Sequence, residues 1–294
     1  MSYRSEKLMS LTGLEILGKS PSELQGLFNK LLDRGIHGLC ISPYEEGQQP
    51  GDQLTEKQIT RRLDIIKPHT NWIRSFSCTE GNELIPKIAK EKGFSTLVGA
   101  WLGTDADINR REVENVVKLA KEGLADIVAV GNEVLYRGDL SEQELLEFIL
   151  QVKQEIPGIP VGYVDAYYEF EFRQEITDAC DVILANCYPF WEGCNLDYSL
   201  LYMKDMYNRA VRAGKGKRVI ITETGWPSAG ELFHGAQPSY ENALKYFINA
   251  QEWSKAEDIE LFYFSSFDES WKTESEGDVG STWGLWDKNE QFKF

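Results

Sequence analysis

The sequence predicts a single α/β domain closed into a (β/α)8 TIM barrel, and three observations carry that expectation. Short apolar runs rich in Val, Ile and aromatic residues recur eight times, longer amphipathic stretches separate them, and glycines stand where those stretches turn back into the runs. The 294 residues suit one such barrel, since this fold routinely uses about 250 residues or more as one unit.

Along the chain, a helical stretch, Ser22–Asp33, comes first, with Leu24, Phe28, Leu31 and Leu32 on one side. It makes residues 1–36 an extra segment ahead of the barrel. Little helical sequence follows the last strand, so this early helix is expected to cover the seam that a terminal helix normally covers. The strands are expected at His37–Ser42, Asn71–Ser77, Ser95–Leu102, Asp126–Glu133, Pro160–Ala166, Val182–Pro189, Arg218–Gly225 and Glu260–Asp268. Between them lie helices such as Ser141–Gln154, where Leu145, Ile149 and Val152 recur every three to four residues opposite a charged face. Gly123, Gly158 and Gly216 fall where a helix end favours left-handed backbone before the next strand. No internal repeat, low-complexity tract or linker interrupts the alternation.

Composition narrows the function. Hydrophobic residues make up 42% and charged residues 27%, an ordinary globular balance. The 47 acidic against 31 basic residues give a net charge of −16, which would repel phosphate backbones and anionic membranes. Neither nucleic acid nor a membrane is therefore an expected partner, and a monomer is expected. Met1–Ser10 lacks an apolar run fit for a leader, so the chain as written reads as cytoplasmic, or as periplasmic or secreted if a leader was removed. Five cysteines, at 40, 78, 180, 187 and 194, lack the spacing of a disulfide scaffold or zinc site. Most are expected to be free thiols, with Cys187–Cys194 the one pairing that a shared loop permits. The three histidines, His37, His69 and His234, adjoin no carboxylate cluster, so no catalytic metal and no cofactor are expected.

In such barrels the active site lies at the C-terminal ends of the strands. Two glutamates end apolar runs there: Glu133 after Ile127-Val-Ala-Val-Gly-Asn, and Glu223 after Val219-Ile-Ile-Thr. They terminate strands four and seven, which face each other across the mouth closely enough for two carboxyl groups to flank one bond. Glycoside cleavage needs such a pair: at about 5 to 5.5 Å one attacks the anomeric carbon while the other protonates the leaving oxygen, and at about 6.5 to 9.5 Å water enters and the reaction inverts. A single strand-end glutamate is more often a helix cap or an ion-pair partner. Two of them on facing strands weigh against that.

The local sequences sharpen this. Val130-Gly-Asn-Glu-Val134 and Ile221-Thr-Glu-Thr-Gly-Trp-Pro-Ser228 resemble the two signature segments of glycoside hydrolase family 17, the β-1,3-glucanase and glucanosyltransferase family. Gly38-Leu-Cys-Ile-Ser-Pro-Tyr44, Ile73-Arg-Ser-Phe-Ser77, Gly99-Ala-Trp-Leu-Gly103, Tyr188-Pro-Phe-Trp-Glu-Gly193 and Phe267-Asp-Glu-Ser-Trp-Lys272 follow in the family's order, so the resemblance covers residues 37–287 and is closer to the compact bacterial and fungal members. It implies that Glu133 is the acid/base and Glu223 the nucleophile of a retaining enzyme. Asn132 matches the asparagine that bonds the sugar 2-hydroxyl, and Tyr188 the tyrosine that orients the nucleophile. Glu269 and Lys272 match a charged pair that supports the nucleophile or contacts sugar. A further glutamate is expected shortly before Trp283, but Glu276 and Asp278 both approach the place and neither is given a role.

Aromatic residues gather at the same strand ends. Tyr44, Trp101, Tyr136, Trp191, Trp226, Trp271 and Trp283 offer flat apolar faces suited to pyranose rings, and the first six are taken as substrate-binding. Arg74 is added to them, as a residue that binds either a site carboxylate or a sugar hydroxyl. The function implied is endo-cleavage of β-1,3-glucan through a covalent glycosyl-enzyme. A transglucosylase using the same glutamates is the second reading, and a non-catalytic glucan-binding barrel the third.

Overall fold

The computed structural model describes residue 16 and residues 18–294; Met1–Ser10, read above for a leader, lies outside the described residues. Eight parallel strands close in chain order: β1 (Ile36–Cys40), β2 (Thr70–Ser75), β3 (Ser95–Ala100), β4 (Ile127–Asn132), β5 (Val161–Ala166), β6 (Val182–Asn186), β7 (Arg218–Thr224) and β8 (Leu261–Tyr263). Register Gly38↔Phe262 returns β8 to β1 and completes the barrel. Covered by helices outside and by each other's side chains inside, the strands read as continuous apolar runs: every residue of β4 and β6 is buried.

The helices are α1 (Pro21–Asp33), α2 (Glu56–Ile66), α3 (Leu84–Glu91), α4 (Ala106–Lys121), α5 (Val134–Arg137), α6 (Glu142–Glu155), α7 (Glu169–Phe172), α8 (Gln174–Ala179), α9 (Leu196–Gly214), α10 (Tyr240–Ala256) and α11 (Thr273–Glu276). Capping boxes start α1, α2 and α6, with Ser20 and Glu23, Thr55 and Gln58, and Ser141 and Glu144 exchanging bonds. Gly123, Gly158 and Gly216 adopt φ of +77°, +95° and +93°, the left-handed geometry that ends a helix. Among the described residues no helix is long and apolar enough to cross a membrane.

Helix α1 begins one residue earlier than the periodicity suggested, because Pro21 can occupy the first turn behind the Ser20 cap. Its Leu24, Phe28, Leu31 and Leu32 are buried, and Phe28 packs on Phe247 of α10 at 4.1 Å between ring centroids and on Phe294 at 4.9 Å. It therefore stands beside α10 where a helix after β8 would stand. Except for β5, which ends at Ala166 as expected, the strands are shorter at their C-terminal ends than expected. After β8, for example, Ser265 bonds to Trp283 and Ser266 to Cys40, so these residues leave the ladder to build the rim. All five cysteines are free, and the Cys187–Cys194 pairing is not formed.

Candidate active site

Glu223 lies within β7, and Glu133 follows β4 directly. Gly131 (φ +84°) begins a departure from the strand, the β4–β5 register shifts between Ala129 and Asn132, and Glu133 then takes left-handed backbone at φ 51° and ψ 28°. A shift between Ala185 and Asn186 likewise brings Asn186 of β6 level with Glu223. These slips aim three polar side chains into the mouth.

Asn186 joins the two glutamates. Its Nδ2 donates to Glu133 Oε1 at 2.8 Å and to Glu223 Oε1 at 3.2 Å, which holds the two carboxylate oxygens within about 6 Å of each other, the sum of the two bond lengths. Thr222 Oγ1 donates to Asn186 Oδ1 at 2.9 Å and fixes which end of the amide faces the carboxylates. Glu223 is further held by Arg74 Nη1 at 2.7 Å and by the Tyr188 hydroxyl, which donates to Oε2 at 2.9 Å. Arg74 Nη2 also donates to Asn132 Oδ1 at 2.6 Å. With its oxygen engaged, the Asn132 side chain has a donor left to offer.

The two carboxyls sit in different electrostatic surroundings. Burial, reinforced by the charges of Glu223 and Asp165, pushes the Glu133 carboxyl up to about 7, against the pull of the Asn186 amide and Arg137. On the side of Glu223 lie two cations, Arg74 and Lys272. Burial presses the Lys272 ammonium down, but the carboxylates of Glu269 and Glu276 outweigh it and hold Lys272 above the ordinary lysine range. Lys272 Nζ lies 2.8 Å from Glu269 Oε2 and 4.0 Å from the centre of the Phe264 ring.

The expected aromatic residues fall into separate groups. Trp101 and Tyr136 are exposed beside Glu133, with the Arg137 guanidinium 4.5 Å from the centre of the Trp101 ring. Trp191 is half-buried and packs on Trp283, which in turn meets Tyr188. Tyr44 meets Trp271 edge-on near the Glu269–Lys272 pair, and Trp271 Nε1 donates to Glu269 Oε1.

Two expected sugar contacts are corrected. Trp226 is 1% exposed, wedged between Phe190 and Tyr246, with its indole N–H donating to Gln237 O, so it is a packing residue below the mouth. Arg74, also 1% exposed, spends its guanidinium on Glu223 and Asn132, so it binds the site carboxylate rather than sugar.

Two residues were not singled out from sequence, and a third was left without a role. Asn186 had a signal, a polar residue ending the apolar run Val182-Ile-Leu-Ala. Asp165 is a polar residue one position before the end of β5. Glu276, left without a role, accepts the Trp283 indole N–H at 3.0 Å and lies in the field of Lys272. Among the described residues no group of three or more His, Cys, Asp or Glu could hold a metal ion.

Known proteins resemble this chain along most of its length. The family described as BtgE/BtgC glycoside hydrolase domain matches residues 38–284. A glucan 1,3-β-glucosidase of Arthroderma benhamiae is 30% identical over 269 residues, covering 84% of this chain and 87% of the relative. The crystal structure of a glycoside hydrolase family 17 β-1,3-glucanosyltransferase from Rhizomucor miehei is similar with a TM-score of 0.78 and 30% identity, over 89% of this chain and 96% of that one. An active-site mutant of a Rhizomucor miehei β-1,3-glucanosyltransferase, in complex with laminaritriose, is similar with a TM-score of 0.79 and 29% identity, over the same shares of the two chains.

Proposed function

The chain belongs to glycoside hydrolase family 17 and is a glycosidase, and from that premise we propose that it acts on β-1,3-linked glucan by a retaining route. Glu223 attacks the anomeric carbon while Glu133 gives its proton to the departing glycosidic oxygen. Glu133 then removes a proton from the acceptor that opens the glycosyl ester. The observation that carries this reading is the shared Asn186 bond, which brings one oxygen of each glutamate to the same amide and so turns both carboxyls toward one reacting centre.

The other residues follow from their positions. Tyr188 and Arg74 orient Glu223, and Asn132, its oxygen taken up by Arg74, donates to the sugar 2-hydroxyl as positive charge develops on the ring. Glu269 and Lys272 form a fixed charged pair beside Trp271 and Tyr44 at one end of the cleft, and Trp101 and Tyr136 offer ring faces beside Glu133. Trp191 supplies a further face.

Transfer is a second reading, favoured by the likeness to a solved glucanosyltransferase at 30% identity over most of both chains. Laminari-oligosaccharides at high concentration test both. Shorter products of mixed length indicate endo-hydrolysis, glucose alone indicates exo-action, and products longer than the substrate indicate transfer. No turnover of β-1,3-glucan, or undiminished turnover in Glu223→Ala, sinks the proposal.

A further inference from the structure

Glu133 stands on backbone that needs support. A non-glycine residue in the left-handed region is strained, and here it follows a register slip that frees it from the regular ladder. Its own N–H still reaches Val164 O at 2.7 Å, but the amides that follow turn away from β5's backbone. Two side chains of β5 meet them. The Tyr163 hydroxyl accepts the Leu135 N–H at 2.9 Å and donates to Asp165 Oδ2, and that same oxygen accepts the Tyr136 N–H at 3.4 Å. Oδ1 of Asp165 accepts the Ala166 N–H at 2.7 Å.

Asp165 is fully buried and Tyr163 nearly so, so neither is open to substrate. Asp165 forms no salt bridge among the described residues. A buried carboxylate without a cation costs stability that an apolar side chain would not, which points to a role beyond packing. Its surroundings are consistent with one. Glu133 is faced by Glu223 from β7, Asp165 from β5 and Arg137 from α5, while Asp165 is faced by Tyr163, Tyr168 and Glu169. Burial pushes the Asp165 carboxyl up to about 6, so at neutral pH it presents a negative charge behind Glu133.

We propose that Tyr163 and Asp165 are positioning residues for Glu133: the carboxylate orders the tyrosine hydroxyl, and the hydroxyl pins the turn that aims Glu133 at the glycosidic oxygen. This rests on Glu133 being the acid/base. The pair acts on proton delivery and not on the attack by Glu223, so its removal matters most when the leaving group needs a proton.

The test compares Tyr163→Phe and Asp165→Asn with the parent chain on a laminari-oligosaccharide and on dinitrophenyl β-laminaribioside, whose leaving group departs without protonation. Tyr163→Phe is expected to lower kcat/KM on the oligosaccharide about tenfold with KM little changed, and the loss should shrink roughly fivefold on the activated substrate. Asp165→Asn keeps an acceptor for the tyrosine but removes a charge that raises Glu133. It should therefore move the alkaline limb of the kcat/KM profile to lower pH, by roughly half a unit. A purely structural brace would slow both substrates alike and leave the limb in place; that result, or full activity in Tyr163→Phe, overturns the proposal. Glu133→Gln keeps the two readings apart. If it still cleaves the oligosaccharide, the acid/base reading fails, whereas an inactive Glu133→Gln beside an unimpaired Tyr163→Phe removes the positioning pair alone. Should Tyr163→Phe not fold, the pH limb of Asp165→Asn decides the matter.

Discussion

Glu133→Gln should abolish turnover and at the same time make the folded chain more stable in mild alkali. The Glu133 carboxyl is raised from 4.5 to about 7, chiefly by burial and then by the charge of Glu223. At about 1.4 kcal/mol per pH unit, that shift corresponds to roughly 3 kcal/mol. The sign follows from linkage: a group raised on folding favours the native state fully below the unfolded value of 4.5, and that contribution is lost as pH climbs through about 7. Glutamine is uncharged at every pH and keeps an oxygen for the Asn186 amide, so it mimics the protonated acid throughout. Parent and variant should unfold nearly alike at pH 4. By pH 8.5 the variant should be the more stable by up to ~3 kcal/mol, or roughly 5 to 10 °C in Tm for a chain of this size. Calorimetry or urea unfolding at the two pH values measures the gap. An equal gap at both, or none at either, refutes the electrostatic account of Glu133 whatever the variant does to activity.

Other substitutions probe the rest of the site. Asn186→Ala removes a bond that lowers Glu133, so the alkaline limb of activity should move to higher pH while kcat falls about a hundredfold, read from a pH–rate profile. Arg74→Met breaks a buried ion pair and should cost about 3 to 5 kcal/mol in urea unfolding; Arg74→Lys should not restore activity, because one ammonium cannot serve both Glu223 and Asn132 in the same geometry. Trp226→Leu should lower stability by roughly 2 to 4 kcal/mol with KM nearly unchanged, whereas Trp191→Ala should raise KM with little change in Tm.

The order of the barrel strands was legible because buried parallel strands leave long apolar runs, and both glutamates were legible because a charge closing such a run stands at the barrel mouth, where the strands hand over to the loops that carry chemistry. What was not legible depends on register. Asn186 adjoins the slip in the β6–β7 ladder, and a slip of one residue changes which face a side chain takes. No local pattern in Val182-Ile-Leu-Ala-Asn announces that slip. The same holds in reverse for Trp226. It follows a signature glycine, Gly225, whose added Cβ would fall 2.1 Å from Phe264 O, and that close approach of the two chain segments accompanies the seating of the indole against Phe190 and Tyr246. An aromatic at a strand end can thus belong to the floor of a site as readily as to its walls.

The distribution of charge explains how one mouth can hold two carboxyls with different tasks. Arg74 and Lys272 both lie on the side of Glu223, whereas Glu133 meets Asp165, a second buried carboxylate, with only Arg137 in partial opposition. Moving a cation from one side to the other would strip the acid of its proton at neutral pH and deprive the nucleophile of its electrostatic support in the same step. The Asn186 amide cannot produce this asymmetry, because it bonds both glutamates. It fixes their spacing, and the flanking charges divide their roles. On Glu133 the Asn186 bond and the Asp165 charge act with opposite sign, so Asn186→Ala and Asp165→Asn should move the alkaline limb in opposite directions. If both shift it the same way, this account of what holds Glu133 protonated is wrong.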